Sequence, residues 1–507
     1  MTPARRASAA LDRVLDALAD PRRTGRAVAM LLVLYCAVWT LYGTVAKGSQ
    51  DIHFDMGEMV AWSREITFGT TKHPPLGAWL AGAWFSVFPL ADWSYYLFAM
   101  GLATVSLWAA HMAAAPYLDG ERRAVGLALL SLVPFFNFHA LKYNANTVLM
   151  PLWGLATWTF LRSFETRKPG WALAAGFAAA AAMLGKYWSA MLLVGLGLAA
   201  LADPRRGAYF ASPAPWLTIL AGALALAPHL LWLHAHEFAP FGYAVTSHPA
   251  TFAAAAGSGL DYIIGAVAYG APVVIGFALL RPSRAALRDT AWPAAPERRL
   301  VVLAFALPLV LPAVAAVATR SAVVSLWTIG SMTLLPVVLL SSPRLDLPRP
   351  AARRIMAAAL VLPLAAVLAS PMVAMVVHRQ GVPNRATHYR ALANEVERLW
   401  GAATGRPLRL VSSSDSLVYG TVFYFTDRPS AFEINLPGRT PWIDDARIER
   451  EGVAYYCPVD EERCMRALNA RLAATPPALR TEVTIARTYL GATDRPARYV
   501  IAVVPPR

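Results

Sequence analysis

Charge is what this sequence has least of: over 507 residues only 15% are Asp, Glu, Lys or Arg, against 57% hydrophobic residues and a positive mean hydropathy. A chain so poor in charge excludes a string of soluble domains for most of its length. Cysteine is scarce as well. Three cysteines are too few for a disulfide scaffold, and Cys36 lies inside an apolar block where it reads as a small packed residue. Only Cys457 and Cys464 are left to pair, across the CPVDEERC stretch. There is no internal repeat, and no low-complexity tract beyond Ala-rich apolar blocks of the kind that pack closely in membranes. No small-residue cleavage site precedes Lys47, so the first apolar block is expected to be retained.

What the chain does have is apolar blocks of about 16 to 23 residues, enough at ~1.5 Å per residue to cross a ~30 Å hydrocarbon layer. Eleven such spans are predicted, near 27–46, 94–115, 124–139, 146–163, 171–185, 188–202, 216–234, 259–280, 300–318, 323–341 and 355–377. The net charge of +15 then acquires a meaning. If residues 1–26 are cytoplasmic, the segments on their side (1–26, 116–123, 162–170, 203–215, 281–299 and 342–354) hold 22 Lys and Arg. The opposite side holds six: Lys47, Arg64, Lys72, Lys142, Lys186 and Arg320. That asymmetry predicts a cytoplasmic N-terminus and makes the charge a report of topology, so no nucleic-acid partner is expected.

An odd number of spans puts residues 378–507 outside, and there the composition changes: charges return and apolar runs shorten. The expected organisation is a basic N-terminus (1–26), a membrane domain (27–377) carrying a first outer loop (47–93), and a small soluble α/β domain. In the last, strands are predicted at Leu408–Ser412, Leu417–Phe425, Val453–Tyr456, Val483–Arg487 and Tyr499–Val504, with helices at Tyr389–Ala402 and Glu461–Leu472.

The first outer loop concentrates polar groups: Asp51, His53, Asp55, Glu58 and Glu65. The run from Asp55 reads as a helix with Met56, Met59, Val60 and Ser63 on one face, and 76–89 carries Trp79, Trp84, Phe85 and Phe88. Both are expected to be interfacial helices. Between them Lys72-His73-Pro74-Pro75 would hold a cation and an imidazole at the membrane edge. Such a cluster suits a lipid headgroup.

Four stretches resemble one known family. Asp55 is followed 18 residues later by His73-Pro-Pro-Leu; then come Lys142-Tyr143-Asn144-Ala145-Asn146 with Met150-Pro151-Leu152-Trp153, Leu184-Gly185-Lys186-Tyr187, and Ser212 to Trp216 leading to Leu231-Trp232. Over roughly residues 27–240 the chain resembles the bacterial relatives of dolichyl-phosphate-mannose protein mannosyltransferases, GT-C fold glycosyltransferases that include the aminoarabinose lipid A transferases. The resemblance implies a helical bundle and inverting transfer of a sugar from an undecaprenyl-phosphate donor to a lipid A, surface glycan or protein acceptor. Members commonly have an Asp-Glu pair in the first loop and an acidic residue before HPPL; here Met56 follows Asp55 and Lys72 precedes His73.

Transfer from a polyprenyl phosphate needs a base on the acceptor, and its phosphate leaving group needs fixed cations more than a second acid. Asp55 is the candidate base, the alternative being a helix cap, since Asp55 and Glu58 stand in capping-box spacing. Lys72, Lys186, Arg320 and Lys142 are candidate phosphate ligands, the alternative being snorkelling to lipid headgroups. Glu58, His73, Asn146 and Tyr187 are expected to line the pocket. Tyr143, Tyr187, Trp188, Trp232 and Trp327 read first as a membrane-interface belt, with sugar stacking as the second reading. His234, His236 and Glu237, with His248 nearby, invite zinc but lack a specific zinc spacing; they suit an interfacial loop, and a divalent metal stays an open alternative with no other cofactor implied. A transporter of lipid-linked sugars is the competing class. It is disfavoured because the charges gather on one side and no matching pair of Gly/Pro-broken helices appears. A non-catalytic envelope assembly protein is the third reading.

Overall fold

The computed structural model describes residues 2–65 and 67–507 and is mostly helical. Among the described residues, six helices are long and apolar enough to cross a membrane: Thr24–Ala46, Asp92–Ala114, Ala214–Ala235, Phe252–Leu279, Pro296–Thr319 and Arg349–Gln380. The other five predicted spans fall on helical segments as well. Four are shorter than 19 residues: Gly120–Ser131, Leu149–Thr166, Pro169–Gly185 and Ser189–Ala202. The fifth is a ten-residue 3₁₀ stretch, Ser325–Leu334, running into Leu335–Leu340. The chain is thus a multi-pass membrane protein with a small C-terminal sheet domain.

It divides into two compact units: residues 1–40, 97–141 and 145–366, and residues 41–96, 142–144 and 367–507. In the first, small residues set how closely helices approach. A side chain at Gly176 would run into the backbone of Thr218, and one at Gly195 into Pro308. The charged loops predicted to share one side do meet. Arg349 binds Asp12, Asp16 and Glu121 at 2.9, 2.5 and 3.0 Å, Arg205 joins Asp203, Glu165 and Glu297, and Arg298 pairs with Asp289 at 2.7 Å.

In the second unit the sheet is built from β1 (Leu410–Ser413), β2 (Ser430–Glu433), β3 (Val453–Pro458), β4 (Leu479–Ile485) and β7 (Ala497–Val504); β5 (Thr488–Tyr489) and β6 (Ala492–Thr493) pair apart from it. Its order is β2-β1-β3-β7-β4, parallel over the first three and antiparallel beyond. Alternation sorts the side chains. Val411, Ala454, Tyr456, Tyr499, Ile501 and Val503 face the helices Tyr389–Thr404 and Asp415–Val422, whereas Leu410, Val453, Tyr455, Val500 and Ala502 face Glu462–Ala474. Cys457 and Cys464 are bonded on that second face, with Cα atoms 5.7 Å apart.

One predicted strand is overturned. Leu417–Phe425 begins instead with a helix, Asp415–Val422. It is covered on all sides, so Leu417, Val418, Tyr419 and Val422 are all buried, and a continuous apolar run of that length carries no period to tell helix from strand. The interfacial reading of the first loop is corrected too. In Phe54–Ser63 the seven residues Met56 to Trp62 are buried, because the Asp415–Val422 helix lies against it so closely that Gly57 has no room for a Cβ beside the Tyr419 carbonyl. Leu76–Phe85 keeps Trp79 partly exposed, as an interfacial helix requires.

Candidate active site

The helix Phe54–Ser63 starts at His53, whose Nδ1 accepts a hydrogen bond from the Asp55 backbone N–H at 3.1 Å. Histidine, not aspartate, is the cap. Asp55 therefore keeps its carboxylate free for side-chain chemistry in the first helical turn, where the helix dipole favours negative charge. Its Oδ2 lies 2.9 Å from Lys142 Nζ and accepts from Asn144 Nδ2 at 3.0 Å, and Oδ1 lies 3.7 Å from His53 Nδ1. Burial alone would raise this carboxyl, but Lys142, with His53 and Asn144, outweighs it and holds Asp55 below its ordinary range. Burial drives His53 down to about 4 against the pull of Asp55, so the imidazole is neutral.

One turn on, Glu58 is buried and receives both bonds of Lys72 Nζ, at 2.8 and 3.1 Å. Burial pushes its carboxyl up to about 7 in spite of Lys72, with the Asp55 charge adding to the rise. Lys72, expected to meet a phosphate, is engaged in this ion pair and stands 5.8 Å from the Trp62 ring centre. The C-terminal domain brings a second buried carboxylate to the same neighbourhood. Glu433 on β2 accepts from the Tyr419 hydroxyl at 2.9 Å and from Arg439 at 3.4 Å, and burial raises it as well. His73 closes a tight turn: its backbone N–H donates to Thr70 Oγ1 at 2.9 Å, its carbonyl accepts from the Thr70 N–H, and its ring meets Trp62 edge-on. Pro74 and Pro75 then lead into Leu76–Phe85, where the Tyr143 hydroxyl donates to the Gly77 carbonyl at 2.7 Å. Asp55, Glu58, Lys72, His73 and Lys142 are thus brought together in one unit. Sequence reasoning missed His53 as the cap and Asn144, Tyr419, Glu433 and Arg439 as partners; only Asn144 carried a signal, lying inside the quoted Lys142 motif.

The other unit holds a second group of expected residues. Lys186 Nζ donates to Asn146 Oδ1 at 2.5 Å and lies 4.8 Å from the centre of the Trp327 ring. The Tyr187 hydroxyl meets His229 Nε2 at 3.1 Å, and the rings of His229, Trp232 and His236 stack in succession along Ala214–Ala235. Arg320 closes Pro296–Thr319 in the left-handed region with its side chain exposed. His234, His236 and Glu237 are exposed at the end of Ala214–Ala235, and His236 Nδ1 is 2.8 Å from the Trp232 carbonyl. Among the described residues, no three His, Cys, Asp or Glu side chains are grouped so as to hold a metal ion.

The fold so far is that of a multi-pass helical membrane protein with a small C-terminal sheet domain. Residues 72–232 match the family model for dolichyl-phosphate-mannose-protein mannosyltransferase. No curated protein matches the chain. Two crystal structures of ArnT from Cupriavidus metallidurans are similar in fold. The one bound to undecaprenyl phosphate has a TM-score of 0.60 at 15% identity, covering 93% of this chain and 98% of that one. The apo structure has a TM-score of 0.61 at 14% identity, covering 94% and 98%. Together these bear out the resemblance read from the sequence, to GT-C glycosyltransferases of the protein mannosyltransferase and ArnT kind.

Proposed function

We propose that the protein is an inverting glycosyltransferase that moves a hexosyl or pentosyl unit from an undecaprenyl-phosphate donor to a lipid A, surface glycan or protein acceptor. The observation that carries this reading is the state of Asp55. It is an ionised carboxylate, relieved of helix capping by His53 and held in place by Lys142 and Asn144, in a chain whose residues 72–232 match a sugar-transferase family. Asp55 takes the proton from an acceptor hydroxyl or amine as its oxygen or nitrogen attacks the anomeric carbon. The bond from that carbon to the phosphate oxygen breaks on the opposite face, its electron pair leaves on undecaprenyl phosphate, and the configuration inverts. Asp55 then returns the proton to solvent. Charge building on the leaving phosphate is offset by a cation, for which Lys142 beside Asp55 is one candidate and Lys186 beside Asn146, in the other unit, is a separate one.

The reading places the protein in a bacterial inner membrane with its N-terminus cytoplasmic, supported by 22 Lys and Arg on one predicted side against six on the other. Residues 27–377 form the catalytic membrane domain, and 378–507 form a periplasmic domain. The test is mass spectrometry of membrane glycolipids and surface glycans from cells lacking the protein, complemented with wild type or Asp55→Asn. A sugar increment that is lost, restored by wild type and not by a stably produced Asp55→Asn supports the reading and names the sugar. Restoration by Asp55→Asn refutes the base and moves the balance to transport.

A further inference from the structure

The chain enters the candidate site through Gly48 to Ile52, and the side chains that bind this entry come from far along the sequence. Asp51 lies four residues before Asp55 and two before the cap His53, and its side chain is wholly buried. Its Oδ1 is 2.8 Å from Arg487 Nη1, its Oδ2 accepts from the Arg390 backbone N–H at 3.1 Å, and its own N–H donates to the Ala386 carbonyl at 2.6 Å. Arg487 also donates from Nη2 to the Gly48 carbonyl at 2.8 Å, so one guanidinium spans both ends of the segment. The Ile52 N–H donates to the Tyr424 hydroxyl at 2.8 Å; that hydroxyl donates to Asp92 at 3.1 Å, and Arg390 Nη2 binds the other Asp92 oxygen at 2.8 Å. Two carboxylates and two guanidiniums balance in charge, and their fork geometry fixes direction as well as distance.

The hydrogen bonds of this network are made to Asp51, Asp92, Tyr424 and backbone groups, not to Asp55. The network ends at Ile52, and the next residues are the cap and Asp55. We infer that Arg487 and Arg390 are positioning residues: through Asp51 the C-terminal domain sets where the Phe54–Ser63 helix begins and hence where Asp55 stands. The inference rests on the glycosyltransferase reading and gives the C-terminal domain a part in transfer itself. A base displaced by about 1 Å loses on the order of 10²-fold in rate while donor binding survives, so the signature is a fall in kcat at nearly constant KM.

The full chain in lipid nanodiscs is assayed with a panel of synthetic undecaprenyl-phosphate hexoses and pentoses, membranes of the deletion strain supplying acceptor and mass spectrometry reading released undecaprenyl phosphate. Wild type, Asp55→Asn, Arg487→Met, Arg487→Lys and Arg498→Met are compared. Arg498 is the control, an arginine of the same domain paired with Glu482 at the surface. Arg487→Met is expected to lower kcat by about 10²-fold with donor KM within about twofold, Arg487→Lys to recover much of the loss, and Arg498→Met to match wild type. A folded Arg487→Met with wild-type kcat, beside an inactive Asp55→Asn, overturns the positioning role alone. An Asp55→Asn as active as wild type removes the glycosyltransferase base and the inference with it. Should Arg487→Met fail to fold, Asp51→Asn decides: a fall in kcat of about threefold or more at constant KM supports the inference, and an unchanged kcat overturns it.

Discussion

Lys142 Nζ lies 2.9 Å from Asp55 Oδ2, so the candidate base is held by a cation from a distant segment rather than by its own helix. The cation has two opposite effects. It keeps Asp55 ionised and weakens it as a base, and on the glycosyltransferase reading it offers positive charge to the leaving phosphate. In Lys142→Met the carboxyl of Asp55 rises, because burial then loses its largest opponent. Since Asp55 must be deprotonated to act, the acidic limb of the pH–rate profile is expected to move to higher pH, and activity at pH 5 to fall relative to pH 7.5. The profile of undecaprenyl phosphate release measures this. An acidic limb that stays in place would mean that another group controls it.

Glu58 gives a dependence of the opposite sign. Its folded-state value of about 7 lies above the ordinary 4.5, so between these the folded protein binds more protons than the unfolded chain. Its contribution to stability is complete below 4.5 and is lost as pH rises to about 7. Glu433, also raised by burial, adds the same sign, whereas depressed Asp55 acts only at more acid pH. His53, lowered to about 4, acts in the opposite sense below its ordinary 6.5, so the Glu58 part is read as a difference: the thermal midpoint of Glu58→Gln is expected to fall less, or rise more, from pH 5 to pH 7.5 than that of the wild type. A slope that Glu58→Gln does not change would show that Glu58 does not titrate there.

How far these features could be read from the sequence depends on chain separation. The membrane helices were legible because length and apolarity are local, and β3 and β7 because each is a short, continuous apolar run. The Asp415–Val422 helix was read as a strand because burial on every side erases its period, and β2 was missed because Ser430–Glu433 is only four residues long. In the candidate site, Asp55, Glu58, Lys72 and His73 stood out as polar groups crowded into one loop. Their partners did not: Asp51 and Arg487 are separated by 436 positions, and no local pattern joins them. The choice between cap and base turned on His53, whose imidazole caps a helix less often than Asp does, so residue preference pointed the wrong way.

Gly57 makes the contact between loop and C-terminal domain a matter of one missing methyl group. A Cβ there meets the Tyr419 carbonyl, a backbone atom that cannot swing away. Gly57→Ala is expected to destabilise the protein by roughly 1–3 kcal/mol, as overpacking does, although alanine favours a helix interior. Thermal unfolding of the purified protein measures it. A midpoint equal to or above wild type would show that the two helices separate without cost.

The Lys186 ammonium is oriented by two neighbours. Asn146 Oδ1 takes one of its three protons at 2.5 Å and the Trp327 ring lies 4.8 Å away, so the charge is fixed in direction without a carboxylate in either contact. Lys72, by contrast, shares its charge with Glu58. Lys186→Met is therefore expected to weaken binding of undecaprenyl phosphate by about tenfold or more, the loss of one charge-assisted hydrogen bond. Lys72→Met is expected to weaken it far less, its main effect being to leave Glu58 protonated. Titration of undecaprenyl phosphate into the nanodisc-embedded variants separates the two. If Lys72→Met loses affinity and Lys186→Met does not, the phosphate is met by the first-loop lysine, and the pair with Glu58 opens when the donor binds.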